Sequence, residues 1–460
     1  MSNFRNACIA VDFGAGSGRV IAGEKMPDGN LRLTEIHRFA NRQVRLADSL
    51  HWDFPALYAE MLEGIRLAVV MGFRILSVGI DTWGVDFGLI TEGGRLIGNP
   101  LCYRDSHTNG MTEQLWPDRV ARKNHFAETG IFPININTLY QLVALKKREP
   151  GMIDIAASIL FMPDLFAFFL TGKASCERTI ASTSELLTAG GTDWNWPLID
   201  WLGLPRRIFG ELIDSGSVKG TIMPSVARTL GIDYEVPVIA AGGHDTACAV
   251  YASRQNASGT PIAFISSGTW SLFGQEIPVP VCSEEAFDSG YTNEGAVGGT
   301  IRILQNIPGM WILQQLVSSW TASGVFEGYD KLISGAEKAG IDTLIDVDDE
   351  AFVAPHDMSA AIISYCRERG LKAPETPEEF ARVAIRSLAC RYGKAIEGLN
   401  SILPPHERPR AINIVGGGCR NQFLNRLTEQ TTGLPVIAGP VEATAVGSLS
   451  LQFDTLSRLT

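Results

Sequence analysis

The sequence of 460 residues lacks the features that mark several classes of protein. Its eight cysteines are scattered singly without a Cys-x-x-Cys pair, which argues against a structural zinc site or a disulfide framework. The longest apolar stretch, residues 161–170, is interrupted by Pro163 and Asp164, so we expect no membrane span. Residues 1–7 are polar and show no secretory signal, which favours a cytoplasmic protein.

Positive charge is also scarce, because 39 Lys and Arg residues face 50 Asp and Glu residues and the net charge is −11. This acidity argues against nucleic acid or an anionic membrane as a partner, but it permits a phosphorylated small molecule held by backbone amides. Hydrophobic residues make up 45% of the chain, so it can bury large cores, and its length of 460 residues suits two or three domains. We expect a soluble enzyme with small-molecule partners, either a monomer or a homodimer.

Two segments of the chain repeat one pattern, in which a strand, a turn of small residues and a second strand follow each other. The turn lies at residues 14–18 in the first segment and at residues 266–269 in the second. A polar stretch at residues 252–260 is typical of a linker. The sequence therefore predicts an α/β protein with domains at residues 1–252 and 253–460.

The glycine-rich stretch at residues 12–19 (DFGAGSGR) has several interpretations. A dinucleotide fold or a methyltransferase that uses S-adenosylmethionine would require a helix directly afterwards, whereas residues 20–39 have the pattern of a β-hairpin. A P-loop is excluded because its G-x-x-x-x-G-K-[ST] motif is absent. A tight turn remains possible, as does a turn that binds phosphate, with Asp12 orienting Mg²⁺ through water. The methyltransferase is kept as a remote alternative.

Three further motifs place small or acidic residues beside predicted strands. Residues 266–270 (SSGTW) add the hydroxyl of Thr269 to a turn, and residues 416–418 are three glycines between a strand and a helix. Residues 242–246 (GGHDT) place Asp245 at a helix start, where the helix dipole favours the ionised carboxylate that a phosphoryl-transfer base needs. Each motif also fits an ordinary structural role as a turn or an N-cap.

A cluster of aromatic and charged residues has the chemistry of a polyol pocket. Trp83 could stack on a sugar face while Arg104 and Asp105 bind hydroxyl groups. The alternative is a core tryptophan beside a surface ion pair. Asn306 and Gln314, on either side of a predicted helix start, are uncharged donors that could line a cleft.

In their order along the chain these motifs resemble the FGGY carbohydrate kinases of the actin/Hsp70/sugar-kinase clan. The resemblance runs from residue 7 to residue 450. Its most specific segments are IDTWGVDF (80–87), YRDSHTNG (103–110), NTLYQL (137–142) and MPDLFAFFLTGK (162–173). The set is completed by GGHDTA (242–247), SSGTWSL (266–272), TNEG (292–295) and VGGGCRNQFLN (415–425). The resemblance implies two ribonuclease-H-like domains with a central cleft in which ATP, Mg²⁺ and a ketose bind.

The resemblance also implies an activity and roles for individual residues. The activity is transfer of the γ-phosphoryl group of ATP to the C1 hydroxyl of L-rhamnulose, a step of rhamnose metabolism, with L-fuculose and D-xylulose as alternative acceptors. Asp245 would be the general base, and no residue is assigned as a direct metal ligand. The positions implied to contact ATP are Ala15, Gly16, Ser17, Gly18, Arg19, Thr269, Gln314 and Gly417. The positions implied to contact the sugar are Gly84, His244, Asp245, Thr246 and Asn306.

Overall fold

The structure is a computed structural model that describes residues 4–254 and 259–459, so residues 255–258 of the predicted linker lie outside the described residues. Its strands are β1 (Arg5–Phe13), β2 (Ser17–Lys25), β3 (Leu31–Ala40), β4 (Gln43–Leu46), β5 (Ser49–Trp52), β6 (Phe73–Thr82), β7 (Phe87–Thr91), β8 (Ala156–Phe161), β9 (Cys176–Glu177), β10 (Leu212–Ile213), β11 (Val218–Thr221), β12 (Pro237–His244), β13 (Ile262–Ser267), β14 (Ser271–Ile277), β15 (Thr292–Gly295), β16 (Ile301–Ile307), β17 (Ala411–Val415) and β18 (Val436–Ala438).

The helices are α1 (Phe54–Val70), α2 (Met111–Leu115), α3 (Arg119–Thr129), α4 (Thr138–Arg148), α5 (Pro150–Ile155), α6 (Met162–Thr171), α7 (Arg178–Ala181), α8 (Trp196–Trp201), α9 (Pro224–Leu230), α10 (Asp245–Ser253), α11 (Glu284–Asp288), α12 (Trp311–Ala322), α13 (Tyr329–Lys338), α14 (Met358–Glu368), α15 (Pro377–Ile402), α16 (Gln422–Thr432) and α17 (Ala443–Leu459). Short 3-10 helices lie at Ser106–Thr108, Ser182–Ser184, Arg206–Ile208, Glu350–Phe352 and Gly417–Arg420. Within residues 4–254 and 259–459, none of these helices has both the length and the apolar character needed to cross a membrane.

The chain divides into two compact units. The first unit combines Met1–Ala252 with Ile277–Ile303 and Thr444–Thr460, and the second combines Ser253–Glu276 with Leu304–Ala443. The first unit therefore gathers segments that are far apart in the sequence.

The first unit is built on a mixed sheet with the strand order β11-β12-β6-β1-β2-β3. β1 and β2 pair as the predicted antiparallel hairpin, and β6 runs parallel to both β1 and β12. Side chains of β1 alternate between two hydrophobic clusters, with Ile9 and Val11 in the larger one and Cys8 and Ala10 against α17. Because both faces are covered there, the central strands β1 and β12 are almost fully buried, whereas the edge strand β3 is half-buried or exposed along most of its length.

Two helices of the first unit support this sheet. The predicted start of α1 is confirmed, because the side chain of Asp53 accepts a hydrogen bond from Ala56 N at 3.3 Å. α17 packs against α10 at a very close approach, where a Cβ atom on Gly447 would stand 1.9 Å from the carbonyl oxygen of Cys248. Only glycine fits such a contact with backbone.

The second unit contains strands in the order β14-β13-β17-β18. β13 pairs antiparallel with β14 and parallel with β17, so the unit repeats the arrangement of β1 with β2 and β6. The predicted start of α15 is confirmed, because the side chain of Thr376 accepts a hydrogen bond from Glu379 N at 3.3 Å. The predicted capping box is only half formed, because the Glu379 carboxylate accepts from Glu375 N at 2.8 Å in place of Thr376 N. A strand follows the small-residue turn in both units, so the methyltransferase alternative is not favoured: that fold requires a helix there.

Candidate active site

The glycine-rich turn between β1 and β2 is tight and exposed. Gly14 N donates to the carbonyl of Ser17 at 2.9 Å, and Asn41 donates to the carbonyls of Gly14 and Gly16 through its side chain and its backbone N–H at 2.8 and 3.2 Å. Gly16 and Ser17 remain exposed, and nothing lies within 4 Å of a Cβ atom placed on Gly16. The turn is thus held by its carbonyl groups and leaves open space at residue 16, as a phosphate-binding loop requires.

Asp12 and Arg19 face each other across the β1–β2 ladder. They are register partners, and the Arg19 guanidinium forms an ion pair with the Asp12 carboxylate. Asp12 is buried, whereas Arg19 is partly exposed. Arg19, which the family resemblance implies as an ATP contact, therefore also pairs with a buried carboxylate.

Asp81 is a further acidic residue of this region, and the sequence predicted no role for it. It lies at the end of β6 as the register partner of Asp12, it is fully buried, and both of its carboxylate oxygens have no hydrogen-bond partner among the described residues. Burial, the charge of Asp12 and the charge of Asp245 together raise the pKa of Asp81 well above its usual value, against a smaller opposing effect of Arg19. A buried carboxylate between like charges is costly, which points to a function.

The charge of Asp81 should make the stability of the ligand-free protein depend on pH. A carboxyl group whose pKa is raised in the folded state stabilises the fold most below pH 3.8, its unfolded value, and this contribution is lost as the pH rises. We expect Asp81→Asn, which cannot ionise, to raise Tm at pH 8 by at least about 2 °C, with a smaller gain at pH 5. Thermal unfolding in EDTA without nucleotide measures this difference.

The control for this experiment is Asp233→Asn, which makes the same chemical change at an exposed position. Its Tm should follow that of the unmodified protein at both pH values. The compared quantity is the gain in Tm of Asp81→Asn over the unmodified protein. A smaller gain at pH 8 than at pH 5 would contradict the assignment of a buried charge.

Asp245 begins α10 directly after β12. Its Oδ1 atom accepts hydrogen bonds from Thr246 N at 2.5 Å and from the Thr246 hydroxyl at 3.1 Å, and it lies 3.4 Å from His244 Nε2. No residue of the described chain donates a hydrogen bond to Oδ2, and the side chain is 31% exposed. Asp245 therefore presents one free carboxylate oxygen at an accessible position, which suits a general base.

A second residue that the sequence did not reveal holds the Gly-Gly-His-Asp turn in place. The buried carboxylate of Glu177 accepts hydrogen bonds from Gly243 N at 3.0 Å, from Thr179 N at 3.0 Å and from the Ser215 hydroxyl at 2.5 Å. A Cβ atom on Gly243 would stand 2.8 Å from the carboxylate, so glycine is required at this contact. Glu177 thus fixes the backbone two residues before Asp245.

The tryptophan of the predicted polyol pocket is part of the core. Trp83 is buried, lies 4.1 Å from Trp52 between ring centroids, and donates its indole N–H to Asp86 at 2.9 Å. Asp105 accepts hydrogen bonds from Leu50 N and His107 N, so it supports a loop. These contacts favour the core alternative for Trp83. The surface ion pair of that alternative is not seen among the described residues, because Asp105 is buried and its carboxylate lies 3.1 Å from His107 Nδ1.

The neighbouring sugar positions differ in their exposure. Gly84 is half-buried against Thr183, whose side chain would lie 3.3 Å from a Cβ atom at residue 84. His244 and Thr246 are buried on either side of Asp245. The predicted sugar residues of the first unit therefore flank the ends of β6 and β12.

In the second unit, Thr269 lies in the exposed turn between β13 and β14. Its carbonyl accepts a hydrogen bond from Trp311 N at 3.1 Å, which ties the turn to the start of α12. Gly309 allows this contact, since a Cβ atom there would lie 2.7 Å from the Thr269 carbonyl oxygen. Gln314 is in the first turn of α12, so the structure brings Thr269 and Gln314 to the same corner of this unit.

Gly417 lies close to the same turn. The glycines at 416–418 follow β17, and Gly418 is so near Ser267 that a Cβ atom would be 1.9 Å from its hydroxyl oxygen. Gly417 itself is exposed and open. Asn306 is exposed near the end of β16. The predicted nucleotide residues of this unit, Thr269, Gln314 and Gly417, thus lie around one end of β13.

Three carboxylates of the first unit lie together at the carboxyl ends of its parallel strands. Asp12, Asp81 and Asp245 stand at or just beyond the carboxyl ends of β1, β6 and β12, which run parallel and side by side. Ligands of open α/β sheets bind at this edge. Acidic groups beside a phosphate-binding turn can receive a proton and hold a cation, which are the requirements of phosphoryl transfer.

Comparison with known proteins identifies the family. Residues 8–252 match the N-terminal domain, and residues 263–455 the C-terminal domain, of the FGGY family of carbohydrate kinases. The chain belongs to this FGGY family. It is therefore a carbohydrate kinase, a phosphotransferase of a family whose phosphate donor is ATP.

Curated relatives of this FGGY kinase extend over nearly its whole length. It is 40% identical to a rhamnulokinase of Bacteroides thetaiotaomicron over 98% of this chain and 91% of that protein. It is 38% identical to a rhamnulokinase of Oceanobacillus iheyensis over 98% of this chain and 93% of that protein.

Solved structures share the fold at low sequence identity. A xylulose kinase of Lactobacillus acidophilus, determined with bound ligand, matches with a TM-score of 0.79 at 16% identity, over 98% of this chain and 90% of that one. A glycerol kinase of Plasmodium falciparum with ADP matches with a TM-score of 0.79 at 13% identity, over 99% and 90%. These matches confirm the predicted two-domain α/β fold of the sugar kinases.

Proposed function

We propose that this FGGY kinase transfers the γ-phosphoryl group of ATP to the C1 hydroxyl of L-rhamnulose and yields L-rhamnulose 1-phosphate and ADP. The proposal is supported by the rhamnulokinases that are 37–40% identical over nearly the full chain. The observation that carries its chemistry is the accessible carboxylate of Asp245 at the sheet edge that also holds Asp12 and the glycine-rich turn. The reaction would belong to rhamnose metabolism.

Asp245 acts as the general base of this reaction. The oxygen of the C1 hydroxyl forms a bond with the γ-phosphorus, and its proton passes to the carboxylate of Asp245. The bond between the γ-phosphorus and the bridging oxygen breaks, and its electron pair leaves with ADP. The proposed sugar contacts are His244 and Thr246, which flank the base, together with Gly84 and Asn306.

The proposed nucleotide contacts form two groups of residues, one in each of the predicted domains, 1–252 and 253–460. Backbone amides of small residues can approach phosphate oxygens, which explains the glycines and serine of the turn after β1. Residues 269 and 417 are exposed around one end of β13, which supports a nucleotide role for that corner. The proposed ATP contacts are Ala15, Gly16, Ser17, Gly18, Arg19, Thr269, Gln314 and Gly417.

Mg²⁺ is the proposed metal cofactor, and the carboxylates fit it. Among the described residues no group of three or more His, Cys, Asp or Glu side chains is arranged to hold a metal ion. The unpartnered oxygens of Asp81 beside Asp12 nevertheless supply hard donors of the kind that Mg²⁺ binds, with water and phosphate oxygens as the usual further ligands. Bound Mg²⁺ would neutralise charge on the phosphate groups.

A cytoplasmic location, and a monomer or homodimer as the working form, complete the proposal. All eight cysteines are free thiols, six of them buried, which suits a reducing compartment.

Release of ADP across a panel of ketoses tests the function. We expect kcat/KM to be highest for L-rhamnulose, by at least about tenfold over L-fuculose and D-xylulose, because a site built to bind hydroxyl groups discriminates strongly between their arrangements. ³¹P NMR of the product should show a phosphate ester on C1. A higher kcat/KM for another ketose would overturn L-rhamnulose as the proposed substrate. If no sugar stimulated ADP release, the proposed phosphorylation itself would be overturned.

A further inference from the structure

A line of charged and polar side chains leads from a buried arginine to Asp245. Arg302 is fully buried and donates from Nη2 to Glu294 Oε2 at 3.0 Å and from Nε to the carbonyl of Gly295 at 3.0 Å. Glu294 Oε2 lies 2.9 Å from His244 Nδ1. The other ring nitrogen of His244, Nε2, lies 3.4 Å from Asp245 Oδ1. All of these residues belong to the first unit.

Burying these charged side chains costs free energy, and packing alone does not require them. Arginine is fully buried almost only when it is paired, as Arg302 is with Glu294, and a buried ion pair often contributes no more stability than apolar residues of the same size. The hairpin of β15 and β16 is already held near the site by a hydrogen bond from Gly295 N to the Ser182 hydroxyl at 2.7 Å. The charges therefore call for a role at the active site.

Glu294 decides which nitrogen of His244 carries a proton. Although burial raises the pKa of Glu294, the His244 ring and Arg302 together hold it below its usual value, so Glu294 is a carboxylate. A carboxylate only accepts hydrogen bonds, and Glu294 Oε2 at 2.9 Å is nearer to Nδ1 than Arg302 Nη2 at 3.2 Å, which itself donates to that oxygen at 3.0 Å. The proton of a neutral His244 ring therefore lies on Nδ1, so that the Nδ1–H and Nη2–H groups converge on Glu294 Oε2. Nε2 then carries a lone pair and becomes an acceptor beside Asp245.

We propose that Glu294, supported by Arg302, is a positioning residue that holds His244 as the Nδ1–H tautomer and so presents Nε2 as an acceptor to a second hydroxyl of the sugar. This inference rests on the proposed function, because it places the sugar against Asp245. A hydroxyl that donates to Nε2 orients the neighbouring alcohol toward the carboxylate. The wrong tautomer would offer an N–H group there and bind Asp245 itself.

Steady-state kinetics of Glu294→Gln test the role in the reaction. The amide can donate to Nδ1 and so permits the other tautomer. We expect kcat/KM for L-rhamnulose to fall about 10–100-fold, as for other residues that orient a histidine, while KM for ATP changes by less than about twofold. An unchanged kcat/KM, or an equal loss for sugar and ATP, would overturn the proposal.

The matched control is Glu60→Gln. Glu60 Oε2 also accepts from a histidine, His37 Nε2, at 2.5 Å, but this pair lies partly exposed on α1 and β3, and neither residue is among the site residues. The same chemical change there should leave the kinetics with both substrates unaltered. Loss of sugar turnover in this variant would mean that the effect at Glu294 is not specific, and it would count against the proposal.

NMR of the unmodified enzyme tests the tautomer without relying on a variant that must fold. The protein is labelled with ¹⁵N-histidine, and the signal of His244 among the seven histidines is assigned by its absence in His244→Gln. We expect the Nδ1–H pattern in the unmodified enzyme and a shift toward Nε2–H in Glu294→Gln. An Nε2–H pattern in the unmodified enzyme would overturn the inference. This readout is separate from the proposed function, which is tested by ADP release across the panel of ketoses.

Discussion

Replacement of Asp245 by Asn should lower kcat for ketose phosphorylation by about three orders of magnitude or more and leave ATP binding in place. A carboxamide cannot take the proton of the acceptor hydroxyl. Its Oδ1 atom can still accept the hydrogen bonds from Thr246 N and the Thr246 hydroxyl, so the start of α10 should keep its conformation. The loss of kcat would therefore be caused by the absence of the base and not by a change of fold.

The measurement combines ADP release at saturating sugar with calorimetric titration of ATP. Asp154→Asn, an exposed position in α5, is the matched control and should retain the original kcat and ATP affinity. A kcat of Asp245→Asn within about tenfold of the original would remove Asp245 from the role of general base.

Gly447→Ala should destabilise the protein by about 2–3 kcal/mol. In an open helix the same change would stabilise by about 1 kcal/mol, because alanine has the higher helix propensity. Here the added methyl group would lie 1.9 Å from the carbonyl oxygen of Cys248, and backbone cannot rotate away as a side chain can. The sign of the effect thus depends on the contact between α10 and α17, and denaturant unfolding measures it.

Gly151→Ala provides the comparison for this prediction. Gly151 lies in α5, and nothing stands within 4 Å of a Cβ atom placed there, so alanine should be neutral or mildly stabilising. If Gly447→Ala stabilised the protein as much as Gly151→Ala, the two helices could not be in contact.

The elements that sequence reasoning predicted correctly are those with a local cause. The Asp28-Gly29 turn fixes the β2–β3 hairpin through a positive φ of +87° at Gly29, and Thr376 marks the start of α15 by its own hydrogen bond. The β1–β2 and β13–β14 hairpins are likewise predicted from apolar segments on either side of a turn of small residues.

The residues that the sequence did not reveal acquire their role from distant partners. Asp81 is significant because β6 pairs in register with β1, 69 residues earlier at Asp12, and a single sequence does not specify that pairing. Its place at the end of an apolar strand was the one available signal. Glu177 likewise acts through Gly243, and Glu294 through His244. Trp83 was ambiguous because an indole suits a sugar face and a core equally well.

The thiol of Cys248 in α10 is a probe of that helix, because it is buried and donates to the Gly242 carbonyl at 3.1 Å. Burial raises the pKa of the Cys248 thiol well above its usual value, so an alkylating reagent finds almost no thiolate and no access in the folded protein. Modification must await a transient detachment of the helix that begins with Asp245. The half-life of Cys248 under iodoacetamide, followed by peptide mass spectrometry, therefore measures how often the start of α10, which carries Asp245, opens.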